Sequence, residues 1–111
     1  MSFNASSSRV GQTVPHIVFE GRRYKEVPNG KLLDLPQRTG LMMIMDANSN
    51  ARIDVVKIYD TPMDPTLEAD VQDVFFTVFE LVPGKREIMI GNERGERYLF
   101  SIDTKAVRKA P

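Results

Sequence analysis

The sequence predicts an all-β fold, an antiparallel sandwich or partly open small barrel built from hairpins. Turn-forming residues recur at intervals of about ten residues, the spacing expected between short strands. The segments between these turns are rich in valine, isoleucine and phenylalanine, which favour strands. No stretch keeps the apolar spacing of an amphipathic helix over several turns, so we do not expect long helices.

In the first half of the chain, hairpins are predicted where glycine and asparagine interrupt the strands. Glu20–Gly21 suits a tight turn, because Gly21 tolerates the positive φ that such a turn needs. Pro28–Asn29–Gly30 predicts a second turn, after which residues 31–35 would pair back as a short strand. The polar loop 46–51 separates two apolar runs and predicts a further hairpin.

In the second half, the turn chemistry is more specific. Val82–Pro83–Gly84–Lys85 places proline and glycine at the central positions of a type II turn. Asn92–Glu93–Arg94–Gly95 suits a type I turn closed by a glycine bulge. These two turns follow a segment rich in valine and phenylalanine, residues 71–81, and predict a meander of consecutive antiparallel strands.

Two segments depart from this pattern. Residues 1–15 are rich in serine and end at Pro15, which predicts a flexible N-terminal arm ahead of a single β-rich domain over residues 16–111. Asp64–Pro65 can cap and start a helical turn, which allows one short helix near residues 64–70.

Composition excludes several classes of site. Lysine plus arginine equals aspartate plus glutamate, 15 each, which argues against a dedicated nucleic-acid binder. The absence of cysteine excludes disulfides and thiolate metal sites, and His16, the single histidine, excludes multi-histidine sites. No apolar run approaches the roughly 20 residues that span a bilayer, and we see no secretory signal. We therefore expect a soluble, cytoplasmic protein with no cofactor and no membrane contact.

Residues 46–57 resemble an EF-hand calcium loop. Four oxygen-bearing side chains stand at the first, third, fifth and ninth positions of that loop: Asp46, Asn48, Asn50 and Asp54. However, Ala51 replaces the glycine of the sharp turn, and Lys57 replaces the bidentate glutamate. We therefore predict no metal site, and interpret this loop as a hairpin turn capped by its own side chains.

Other polar candidates have plainer interpretations. Arg22–Arg23–Tyr24–Lys25 could contact phosphates and stack on a base, but alternation along a strand sends its cations to opposite faces. His16 lacks an identifiable orienting partner and is interpreted as a surface histidine. Carboxylates are frequent, yet no motif fixes a pair of them, so a small carboxylate-based hydrolase is the least favoured function and we do not expect an enzyme.

The feature that points most directly to function is a surplus of apolar residues. Leu41–Met45 and residues 74–79 do not alternate, so both faces of their strands need cover. Either these strands are central in a sandwich, or one face meets a second subunit, a partner protein or an apolar ligand. The candidate interface or ligand residues are Met42, Met43, Met45, Phe75, Phe76 and Phe79. We therefore expect a small binding domain, homodimeric through an apolar strand face, with a small β-barrel that binds an apolar small molecule as the alternative.

Overall fold

The computed structural model describes residues 14–61, 66 and 72–111. Its strands are β1 Ile17–Phe19, β2 Arg22–Glu26, β3 Leu41–Asp46, β4 Arg52–Lys57, β5 Phe76–Val82, β6 Glu87–Asn92, β7 Arg97–Ser101 and β8 Val107–Lys109. All but two residues of the predicted N-terminal arm, and all but Thr66 of the short helix allowed near residues 64–70, lie outside the described residues. Within the described part, no helix has the length and apolarity needed to cross a bilayer.

The strands form two four-stranded antiparallel sheets, in the orders β1-β2-β3-β4 and β5-β6-β7-β8. Each sheet is therefore a meander in which every strand pairs with its neighbours in the chain. Among the described residues no strand of one sheet pairs with the other sheet, so the barrel does not close. The all-β antiparallel prediction is confirmed.

The inner faces of the two sheets share one hydrophobic core. The ring of Tyr24 in the first sheet lies 6.2 Å from that of Phe100 in the second, measured between centroids. The Tyr59 ring, just after β4, lies 6.1 Å from the Phe76 ring. Met42, Phe76 and Phe100 have no exposed surface, so side chains fill the space between the sheets.

The hairpin turns predicted at Glu20–Gly21, residues 46–51, Val82–Lys85 and Asn92–Gly95 are present, whereas Pro28–Asn29–Gly30 does not form one. Glu20 and Gly21 have φ values of 50° and 77°, the positive pair that a two-residue hairpin turn requires. In the β5–β6 turn the Lys85 N–H donates to the Val82 carbonyl at 3.3 Å. In the β6–β7 turn, the Gly95 N–H donates to the carbonyl of the residue that opens the turn, at 3.0 Å.

The predicted short strand at residues 31–35 is wrong. Residues Gly30–Leu33 form a 3-10 helix, and the Asn29 side chain caps it by accepting the Lys31 N–H at 3.0 Å. Such a side-chain bond to the local backbone competes with pairing into a sheet. Asp34 then ends the helix in the left-handed conformation, with φ 59°.

Buried polar groups anchor the connection between β2 and β3. The Gln37 amide donates to the carbonyls of Thr39 and Tyr59 at 2.7 and 2.8 Å. The Thr61 hydroxyl donates to the Thr39 carbonyl at 2.9 Å, and the Thr39 hydroxyl accepts the Val74 N–H at 3.0 Å. These bonds hold the connection, the end of the first sheet and the approach to β5 together.

A β-bulge explains why residues 74–79 lack alternation. The register between β5 and β6 shifts between Phe76 and Val78, so Phe76 and Phe79 both point inward although three positions separate them. Their rings lie 5.6 Å apart. Phe75 precedes the strand and is also buried, at 5% exposure. The phenylalanines therefore pack within the protein itself.

Candidate functional site

The structure separates the six candidate residues into two groups. Met42, Phe75, Phe76 and Phe79 are between 0% and 6% exposed, which leaves them no surface for a partner. Met43 and Met45 are half-buried. Since Met42 and Ile44 point into the core, alternation along β3 places Met43 and Met45 on the outer face of the first sheet.

Strand register shows what surrounds these two methionines. Met45 pairs with Arg23 on β2, and Val18 on β1 also pairs with Arg23. On β4, Met45 pairs with Arg52 because the register shifts past Ile53, a bulge that brings Arg52 to the same side as Met45. Met43 pairs with Lys25 on β2 and with Val55 on β4. Paired residues point to the same side of a sheet. We call this surface the methionine face; it consists of Val18, Arg23, Lys25, Met43, Met45, Arg52 and Val55.

A shallow groove borders the methionine face where the 3-10 helix rises beside β2 and β3. The groove is open, has a volume of about 160 Å³, and is lined by Lys25, Val27, Pro28, Asn29, Leu32, Leu33 and Met43. Pockets for drug-sized ligands are larger, on the order of 300–1,000 Å³. Leu32 is 80% exposed and Val18, across the sheet, is 57% exposed. The groove therefore suits a side chain of a larger partner better than an enclosed ligand.

Positive charge collects on the methionine face. The acidic residues of the first sheet all point to its inner side: Glu26, Asp46 and Asp54. Among the described residues, none of the cations Arg23, Lys25 and Arg52 is in a salt bridge. Lys57, further along the outer side of β4, is neutralised by Asp60 at 2.7 Å. The chain is neutral overall, so this face is a local excess of positive charge.

His16 lies beside this surface, just before β1, and is exposed. Desolvation lowers its pKa below the ordinary value, and the charges of Lys25 and Arg23 lower it further. The histidine therefore experiences the positive potential of the methionine face. The sequence interpretation of His16 as a surface histidine is confirmed, but its cationic surroundings depend on pairing between β1 and β2.

Glu26 is a buried carboxyl that sequence reasoning missed. It is 4% exposed and accepts the Phe76 N–H at 2.8 Å, across the core from its own strand. Burial raises its pKa to about 7, and the negative charge of Glu93 contributes in the same direction, while the bond from Phe76 opposes them. Glu93 itself accepts the neighbouring Phe75 N–H at 3.0 Å. The detectable signal was its alternation with Tyr24, which places both side chains on the inner face.

The loop that resembles a calcium site is a self-capped turn. The Asp46 carboxylate accepts the N–H groups of Asn48 and Ser49, both at 2.9 Å. These bonds lower the Asp46 pKa. Strands β3 and β4 flank the loop, where an EF-hand would have helices. The turn interpretation is confirmed, and the described residues contain no group of three or more potential metal ligands among histidine, aspartate and glutamate.

Comparison of the chain with protein-family models, curated proteins and solved structures finds no match. The function must therefore be inferred from the chemistry of the described surface.

Proposed function

We propose that the protein is a small binding domain that docks on a partner protein through the methionine face. The observation that carries this proposal is the position of Met43 and Met45, half-buried at the centre of an outer sheet face. Methionine is flexible and polarizable, and it adapts to varied contacts. An apolar centre with a polar rim is the usual composition of a protein interface.

Self-association through the same face is a second candidate. The apolar row of Met43, Met45 and Val55 favours it, because a second copy would cover this row. The cations count against it, since two methionine faces packed on each other would bring like charges together. Sedimentation velocity at tens of micromolar decides between a monomer and a dimer.

The remaining alternatives have less support. An apolar ligand inside the protein would need space, and fully buried side chains such as Phe76 and Phe100 occupy the interior between the sheets. A carboxylate-based hydrolase would need an acid that a substrate can reach, and Glu26 is 4% exposed. Both functions remain proposals of lower rank than the binding domain.

The binding proposal is tested with a random dodecapeptide library selected on the wild-type protein. We expect the selected peptides to lose affinity for Met43→Asp and to keep it for Met89→Asp. Met89 is the matched control, because it is a half-buried methionine at the centre of the second sheet's outer face. Thermal melts verify that both variants fold. Peptides that bind Met43→Asp as tightly as the wild type would contradict the proposal.

A further inference from the structure

We propose that the partner of the methionine face is an acidic protein segment, in which carboxylates flank a pair of apolar side chains. This inference rests on the proposed function, and concerns the chemistry of the partner. It follows from where the cations stand relative to the methionines.

The cations occupy both sides of the methionine row. Arg23 and Lys25 on β2 pair with Met45 and Met43, and Arg52 on β4 pairs with Met45 from the other side. Neighbouring strands lie about 4.8 Å apart, so each cation stands one strand from the apolar centre. A complementary segment would place apolar side chains over the methionines and carboxylates about 5 Å to either side.

The ion pairs of the structure show that this charge is available. Several exposed cations elsewhere on the described surface are matched by acids: Arg86 contacts Glu20 and Asp103, and Lys105 contacts Asp54. Others, such as Arg97 on the second sheet, are in no salt bridge among the described residues. The cations of the methionine face have no such match among the described residues. An acidic partner would therefore gain ion pairs there without breaking existing ones.

Two other anionic or apolar partners fit less well. Single-stranded nucleic acid is held by aromatic side chains on which bases stack. Tyr24, the aromatic residue of β2, is 4% exposed and points into the core, and none of the residues that form the methionine face is aromatic. A second copy of the chain would present the same cations, so it cannot supply the carboxylates from its own methionine face.

Fluorescence anisotropy with labelled peptides tests the inference. The probes are a sixteen-residue glutamate–leucine peptide, its lysine–leucine counterpart and its glutamine–leucine counterpart. We expect the wild type to bind the glutamate peptide about tenfold more tightly than the other two at low salt, and to lose this preference as salt rises. If the glutamine peptide binds as tightly as the glutamate peptide, the inference of an acidic partner is wrong, while the proposal of a binding domain is not contradicted.

Charge reversal provides the matched variants. Lys25→Glu should weaken binding of the glutamate peptide about tenfold and strengthen binding of the lysine peptide. Arg97→Glu is the control, because Arg97 is an exposed cation on the outer side of the second sheet. If Arg97→Glu has the same effect as Lys25→Glu, net charge rather than the methionine face selects the partner, and the inference fails.

His16 gives a readout at the surface itself. It is the only histidine of the chain, so its imidazole signal in an NMR titration is unambiguous. Carboxylates bound beside Lys25 and Arg23 should raise the His16 pKa, because they offset the two positive charges that now lower it. An unchanged pKa in the presence of saturating glutamate peptide would place the binding elsewhere and overturn the inference.

The same assay separates the competing partners. A labelled oligo-dT strand or phosphatidylserine vesicles that bind as tightly as the glutamate peptide, with the same loss in Lys25→Glu, would indicate a general polyanion surface and contradict the inference. A dimer that dissociates in Met43→Asp would identify a second copy as the occupant and also contradict it. Failure of the proposed function itself has a different outcome, in which none of the peptides, selected or designed, depends on Met43.

Discussion

The buried carboxyl of Glu26 makes the stability of the protein depend on pH. Below about pH 4.5, its ordinary pKa, Glu26 is protonated in both the folded and the unfolded chain. Folding raises this pKa to about 7, so the folded state binds the proton more tightly. The stabilisation is fully present below pH 4.5 and is lost as pH rises through 7, because a buried carboxylate must then ionise.

The magnitude follows from the two pKa values. A rise of the Glu26 pKa from 4.5 to about 7 corresponds to a loss of about 3 kcal/mol in the free energy of unfolding as Glu26 ionises, at about 1.4 kcal/mol per pH unit. Glu26→Gln keeps an oxygen that can accept the Phe76 N–H and removes the titration. We therefore expect the free energy of unfolding of Glu26→Gln, relative to that of the wild type, to rise by up to about 3 kcal/mol between pH 5 and pH 8.

Urea denaturation at pH 5, 6, 7 and 8, followed by tyrosine fluorescence, measures this difference. His16 also titrates in this range, and its lowered pKa makes stability rise with pH, but its contribution cancels when variant and wild type are compared at each pH. Glu80→Gln is the control, since Glu80 is exposed on the second sheet. If the free energies of unfolding of wild type and Glu26→Gln change in parallel with pH, Glu26 does not titrate with a raised pKa in the folded protein.

Two further substitutions test the packing. Gly40→Ala should destabilise the fold by about 3 kcal/mol in urea denaturation, because φ is 82° and a Cβ would overlap the Tyr59 carbonyl oxygen. Gly84→Ala is the control and should cost about 1 kcal/mol, because its φ of 71° is also positive but open space surrounds it. Equal costs for the two variants would mean that the overlap at Gly40 is relieved. Phe75→Asp should unfold the protein, since it buries an unpaired charge. Met43→Asp should leave the melting temperature within a few degrees of the wild type. A folded Phe75→Asp variant would contradict the assignment of Phe75 to the core.

Turn chemistry explains why so much of the fold was predictable. Gly21 and Gly95 stand where hairpins need positive φ, and the strands between the turns follow from residue preference. The 3-10 helix at Gly30–Leu33 was not predictable in the same way. Its formation depends on a cap from Asn29 and on anchoring of the following segment by the buried Gln37 amide.

The candidate site was only partly accessible from the sequence. The missing alternation pointed to residues 41–45, and Met43 and Met45 do lie outside. The phenylalanines behaved differently, because the bulge between Phe76 and Val78 turns Phe79 inward, and nothing in the local sequence fixes a bulge. The basic segment Arg22–Lys25 was visible in the sequence, but the position of Arg23 and Lys25 beside the methionines and Arg52 was not, because it arises from pairing between strands.

The most direct test of the central claim is NMR of protein labelled at its methionine methyl carbons, titrated with the glutamate–leucine peptide. We expect the Met43 and Met45 methyl signals to move, while those of the buried Met42 and of Met89 on the second sheet stay in place. Movement of the Met89 signal with Met43 and Met45 unchanged would contradict the claim that the methionine face is the binding surface.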